Sequence, residues 1–164
     1  MGVSGCGKST VGRELARRLG VDYVEGDELH PPQNIERMAA GIPLTDADRH
    51  EWLQQVADQL ARSTVEARGV VVSCSALKRR YRDQLRMGAA DARFVFLHGP
   101  RELLARRVAE RSHAYMPASL LDSQLATLEP PQPDEHAIAL DITQPPEVLV
   151  LQAQLQLRLA ADAA

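Results

Sequence analysis

Residues 2–9 read Gly-Val-Ser-Gly-Cys-Gly-Lys-Ser, the G-x-x-x-x-G-K-[ST] spacing of a phosphate-binding loop. Gly2, Gly5 and Gly7 permit a tight turn that aims backbone N–H groups at phosphate oxygens. Val3, Ser4 and Cys6 complete that cradle. Lys8 is placed to reach the β- and γ-phosphates as a point charge, and Ser9, with Thr10 beside it, offers a hydroxyl to Mg²⁺. The run from Ser9 to Leu19 carries Val11, Leu15, Ala16 and Leu19 on one face, which predicts a helix whose N-terminus points at the phosphates. The expected ligands are a nucleoside triphosphate and Mg²⁺.

The chain has two lysines, Lys8 and Lys78, against seventeen arginines. Arginine is a planar fork and lysine a compact ammonium, so a site that needs the point charge cannot exchange them. One lysine stands in the loop. The other stands in Cys74-Ser75-Ala76-Leu77-Lys78-Arg79-Arg80-Tyr81-Arg82, where Ser75 could cap a helix and Lys78 with Arg82 could hold an anion. A basic, solvated helix face is the alternative. Upstream, Glu25 and Asp27 flank a glycine. In an extended segment they share a face, from which a carboxylate could take a hydroxyl proton or hold Mg²⁺ through water, or they could simply form a polar turn. His30 could bind substrate or stabilise a turn. Arg49 could bind an anionic substrate or lie on the surface. Arg107 and Arg111 are four apart, on one helix face, and could clamp phosphate and face the base or simply belong to a solvated helix.

Short β-rich runs alternate with helical ones. The predicted strands are 22–25, 70–74, 94–97 and 137–141, with 70–74 fully buried. The predicted helices are 35–40, 46–66, 77–87, 101–111, 117–128 and 146–161, with Asp46 and Asp48 as N-terminal charges and Trp52 in the core. That alternation is an α/β fold with a parallel sheet, in which ligands bind at the carboxyl ends of strands. At 164 residues and 45% hydrophobic, one domain with a real core is expected. A net charge of −3 with scattered basic residues argues against nucleic acid, and no apolar run or leader points to a membrane. Cys6 and Cys74 suit a reducing compartment, so the cytoplasm is the default. No Walker-B aspartate ends the 70–74 strand, which argues against motor ATPases and GTPases.

A loop of this kind is normally entered from a buried strand, and only Met1 precedes Gly2 here. The expectation is an upstream start with Met1 internal. A genuine truncation that leaves a gap or a rearranged sheet is the alternative.

GVSGCGKS, GDELHPPQNIERMAAGIPLTDADRHEWL, CSALKRRYRDQLR and LLDSQLATLEPPQPDE, in this order, resemble the gluconate kinase family of small P-loop kinases over nearly the whole chain. The resemblance implies a single domain over 1–164 with the nucleoside monophosphate and shikimate kinase type of three-layer α/β sandwich. It implies a five-stranded parallel sheet whose first, central strand is missing here, a substrate-binding helical segment at about 28–66 and a lid at about 107–128. It implies ATP-dependent phosphorylation of the 6-hydroxyl of D-gluconate. ATP and Mg²⁺ would be held by Gly2 to Thr10, with Ser9 on the metal and Arg107 and Arg111 toward the nucleotide and lid. Lys8, Asp27 and Lys78 would be catalytic, and Asp27, His30, Arg49, Lys78 and Arg82 would bind substrate. Another sugar-acid kinase and an inactive nucleotide-binding module are the alternatives. The family often dimerises, which allows a homodimer. Where the family usually carries a His-Phe pair in the lid, this chain has His113-Ala114-Tyr115.

Overall fold

The structure is a computed structural model that describes residues 1–110 and 118–162. Along the chain run α1 (Lys8–Leu19), β1 (Asp22–Glu25), a 3₁₀ turn (Gly26–Leu29), α2 (Pro32–Ala39), α3 (Asp46–Val65), β2 (Val70–Ser73), α4 (Arg79–Gly88), β3 (Val95–His98), α5 (Arg101–Ala109), α6 (Ala118–Thr127), a second 3₁₀ turn (Pro133–Glu135), β4 (Ile138–Asp141) and α7 (Pro146–Asp162). Strand–helix alternation gives parallel pairing throughout, as parallel strands require helical crossovers. β1 pairs with β2, Asp22 opposite Val70, and β3 pairs with β4, Val95 opposite Ile138.

The two pairs do not join. Between β2 and β3 lies a cavity of about 530 Å³, bordered by Val70, Val71 and Val72 on one side and Val95 and Leu97 on the other. Met1 stands at its end and bonds as a strand residue would. Its amine donates to the Val95 carbonyl, its carbonyl accepts from Leu97 N–H at 3.0 Å, and Gly2 N–H donates to the Ser75 carbonyl at 3.2 Å. Burial pushes the Met1 amine down to about 6. The cavity also corrects the expectation for 70–74: Val70 to Val72 are half-buried, because their inner edge faces open space.

Two apolar clusters form the core of the described residues. One joins the loop (Val3, Cys6), α1 (Val11, Leu15), Leu97, Leu104, Leu140 and Val150. The other joins Trp52, Leu53 and Val56 of α3 to Tyr81 and Leu85 of α4. The α3 start is built by a capping box: Thr45 Oγ1 accepts from Asp48 N–H at 3.2 Å and Asp48 Oδ2 accepts from Thr45 N–H at 2.8 Å.

The basic segment at α4 departs from the sequence reading. Arg82 is fully buried and does not reach a substrate. Its Nε and Nη2 donate to the two Glu135 carboxylate oxygens at 2.5 and 2.7 Å, and Nη1 donates to the carbonyls of Ala76 and Glu129 at 3.0 and 3.1 Å. The α4 N-terminus is filled from within, because Arg79 N–H donates to Glu129 Oε2 at 2.7 Å. Arg79 also pairs with Asp134 at 2.6 Å. The helix starts at Arg79 with Lys78 at its N-cap, and Ser75 does not cap it. The segment's anions are therefore carboxylates of the chain itself, from the Glu129–Glu135 stretch and from Asp46.

A buried pair of this kind is costly to break from one side. Glu135→Gln, which leaves Arg82 buried without its counter-charge, is expected to lower unfolding free energy by about 3–5 kcal/mol in urea titration. The Arg82 hydrogen bonds hold Glu135 at about 2, below its ordinary 4.5. The folded chain thus binds that proton less readily than the unfolded one. The contribution is complete above about pH 4.5 and is lost as the pH falls toward 2. The acid limb of the wild-type stability curve should flatten in Glu135→Gln.

Candidate active site

The phosphate loop closes onto α1 through Gly7, which sits in the left-handed region at φ +94° as the N-cap. A Cβ there would meet nothing within 4 Å, so the glycine is needed for its backbone angle and the space in front stays open to a ligand. Gly5 differs in what lies against it. It is buried, at φ +81°, and a Cβ there would lie 2.8 Å from the Leu104 carbonyl oxygen. Gly5 therefore faces α5 and is not among the cleft residues. It lets the back of the loop seat on that helix, and its backbone N–H is the group a phosphate would meet, as the loop spacing expects.

Lys8 follows Gly7 as the first helical residue. Its Nζ donates to the Val3 carbonyl at 3.2 Å. Burial works against its charge, but Cys6, Asp27, Cys74 and Glu25 outweigh burial and raise its pKa. Val3 and Cys6 point into the core, so their contribution to a phosphate would likewise be backbone alone. Thr10 is exposed on the first turn of α1.

β1 ends at Gly26, and three elements meet there. Gly26 N–H donates to Ser73 Oγ at 3.2 Å, and its carbonyl accepts from Trp52 Nε1 at 2.7 Å. A Cβ at this position would lie 2.1 Å from the Ser73 carbonyl oxygen, so nothing larger than glycine fits. Glu25 and Asp27 flank this junction. The Glu25 carboxylate accepts from Tyr23 Oη at 2.8 Å and from Ser73 Oγ. Burial would raise its pKa, but hydrogen bonds from Ser73, Ser9 and Tyr23 prevail and hold it below the ordinary carboxylate value. Ser9 hydroxyl beside Glu25 carboxylate is a hard-oxygen pair of the kind Mg²⁺ takes when phosphates and waters supply its other ligands. Among the described residues no group of three or more His, Cys, Asp or Glu side chains is placed to hold a metal ion.

His30 is buried and stacks on Trp52, with ring centroids 4.2 Å apart and planes 15° from parallel. Burial, and secondarily the charge of Arg49, push it down to about 4, so it is neutral at neutral pH. Asn34, also buried, donates through Nδ2 to the Asp48 carbonyl at 2.7 Å and lies 3.4 Å from His30 Nδ1. Arg49 follows on α3. Among the described residues no carboxylate lies within ion-pair distance of its guanidinium, which leaves its charge for the cleft.

Lys8, Asp27, His30 and Arg49 line one cleft together with Ser4, Ser75 and Gln124. The larger cavity between β2 and β3 also reaches Lys8 but is bordered mainly by valine, leucine and alanine and lacks Asp27, His30 and Arg49, so the smaller one is the candidate site. Lys78 is not among the cleft residues. It bonds Asp46 at 2.9 and 3.2 Å, in a cluster with Arg80 and Tyr81. Arg107 donates to the Ile142 carbonyl at 3.1 Å, beyond β4, and does not line the cleft. Arg111 and His113 lie outside the described residues. Cys74, a free cysteine pushed up to about 12 by burial, is no nucleophile at neutral pH. Sequence reasoning passed over Gln124, whose Oε1 accepts from Ser4 N–H at 2.7 Å. Its signal was present in the SQ of LLDSQLATLE, a buried polar residue amid leucines.

A family model described as an AAA domain matches residues 1–131. The gluconokinase of Gluconobacter oxydans is 49% identical over 92% of this chain and 84% of its own length, and the thermoresistant gluconokinase of Escherichia coli is 40% identical over 92% and 86%. A solved gluconokinase from Sinorhizobium meliloti superposes with a TM-score of 0.90 at 48% identity, covering 99% of this chain and 91% of that one.

The chain belongs to the gluconokinase family.

An unliganded sugar kinase from Janibacter superposes with a TM-score of 0.93 at 46% identity, covering 100% and 95% of the two chains. An APS kinase of Mycobacterium tuberculosis, at 0.68 and 24%, shares the fold over 96% and 94%. The gluconokinase assignment thus agrees with a cleft that combines a phosphate loop with a carboxylate, an imidazole and a guanidinium. Gly26→Ala tests the geometry that assembles it. Pressing a methyl into the Ser73 carbonyl should cost about 1–3 kcal/mol in urea unfolding, together with a loss of turnover larger than the lost stability explains.

Proposed function

We propose that this chain transfers the γ-phosphoryl group of ATP to the 6-hydroxyl of D-gluconate, giving 6-phosphogluconate and ADP. The observation that carries the reading is that Lys8 of the phosphate loop and Asp27, His30 and Arg49 line the same cleft. Relatives named as gluconokinases, similar over most of their length, support it.

In this reading Asp27 accepts the proton of the acceptor hydroxyl as its oxygen bonds to the γ-phosphorus and the bond to the β-phosphate oxygen breaks. Lys8 and the loop N–H groups hold the phosphate charge, stabilising what develops in the transition state. Ser9, with Glu25 behind it, holds Mg²⁺. The metal, when bound, neutralises β- and γ-phosphate charge. Arg49 pairs with the gluconate carboxylate, and His30 contacts the polyol. Lys78 enters only through Asp46, which it helps to fix at the start of α3.

The test is ADP release with Mg-ATP and a panel of sugar acids, run on this chain and on one with an extended apolar segment fused ahead of Met1 to occupy the gap beside β2. Turnover on D-gluconate above the other acids is expected from at least one of them. Asp27→Asn should lower kcat about a hundredfold or more with little change in ATP binding. Lys8→Arg should abolish turnover despite keeping the charge, since the fork does not fit the ammonium's place. Turnover on a different acid alone, or near-normal rates in both variants, would overturn the reading.

A further inference from the structure

The hydrogen positions at His30 can be read from a neighbour that has no choice. Asn34 presents one side-chain atom to the Asp48 carbonyl at 2.7 Å. A backbone carbonyl only accepts, so that atom is the amide nitrogen and the orientation of the amide is settled. The same nitrogen lies 3.4 Å from His30 Nδ1. It has two hydrogens, one for each neighbour, so Nδ1 is the acceptor and carries no proton. In a neutral imidazole the proton is then on Nε2. The ring cannot turn away, because Trp52 lies flat against it and is itself tied to Gly26. His30 Nε2 is not among the described buried polar atoms that lack a partner, and no described protein group bonds it. It is therefore the ring nitrogen open to the cleft that His30 lines.

We propose that Asn34 is a positioning residue that locks His30 in the Nε2–H form, so that His30 is a fixed hydrogen-bond donor to an oxygen of the sugar acid and not a base. The proposal rests on the gluconate reading for the identity of that oxygen's owner. It divides the labour in the cleft. A ring with its cleft-facing nitrogen already protonated cannot accept the hydroxyl proton, which leaves that task to Asp27. A donor fixed in direction also selects: an acid with no acceptor oxygen at that point leaves Nε2–H buried without a partner, a larger penalty than a lost apolar contact.

The first arm of the test needs no substrate. With ¹⁵N-labelled histidine at pH 7, and His30 identified by the signal that His30→Gln removes, Nε2 should show the shift of a protonated ring nitrogen and Nδ1 that of an unprotonated one. The opposite pattern, or averaged shifts, overturns the lock. Asn34→Leu should average the two tautomers and raise KM for gluconate about tenfold, with kcat and KM for ATP within about twofold. Unchanged KM for gluconate overturns the proposal. Should Asn34→Leu fold poorly, His30→Gln and His30→Leu decide. Glutamine can place an N–H near the Nε2 position, so KM should stay within about threefold for His30→Gln and rise about tenfold for His30→Leu. Equal losses in both contradict a donor role. Adding gluconate with a non-hydrolysable ATP analogue should shift the wild-type Nε2–H signal, and no shift overturns the substrate contact. If the chain turns over a different acid that moves this signal, the gluconate reading fails while the donor assignment stands.

Discussion

The cleft depends on one backbone position. At Gly26 the chain leaves β1 so close to β2 that no side chain fits, and the carbonyl freed by that approach is taken by Trp52 of α3. One glycine thereby joins two strands to a helix that begins twenty residues later. The residues on either side inherit its position. Glu25 is turned toward Ser9 of the phosphate loop, Asp27 enters the cleft, and His30 is pinned against the ring whose nitrogen grips Gly26. The phosphate loop and the residues after β1 come from different parts of the chain, and this junction relates them.

Charge is used in two distinct ways. Outside the cleft, arginines are neutralised by carboxylates far along the chain: Arg82 by Glu135, Arg79 by Asp134 and the α4 N-terminus by Glu129. Asp46 gathers Lys78, Arg80 and Tyr81 in the same manner. Inside the cleft, Lys8 and Arg49 have no such ion pair among the described residues. The paired cations brace the fold, whereas Lys8 and Arg49 line the cleft itself.

This distinction marks where sequence reasoning succeeded and where it could not. The loop was legible because its function depends on local spacing, and strands and helices fell within a few residues of their observed ends because periodicity is local. Within the loop, spacing alone did not separate Gly7, which fronts open space, from Gly5, which is pressed against α5 about a hundred positions onward. Asp27, His30 and Arg49 were named from local pattern and motif resemblance, and they line one cleft. Lys78 and Arg82 were misread because what neutralises them lies 32 and 53 residues away in sequence. A run of basic residues looks the same whether its counter-ions are a ligand or a distant glutamate. The half-buried state of Val70 to Val72 was likewise invisible, since it follows from what stands beside the strand and not from the strand's own residues. Gln124 escaped because its contact with the loop spans 120 positions.

The account stands most directly on where the acceptor sits. A crystal structure with a non-hydrolysable ATP analogue, Mg²⁺ and D-gluconate would place it. The account predicts phosphates on the loop and Lys8, the gluconate 6-hydroxyl within hydrogen-bond distance of Asp27, and the gluconate carboxylate toward Arg49. Gluconate bound outside this cleft, or bound within it with its carboxylate end at Asp27, would contradict it.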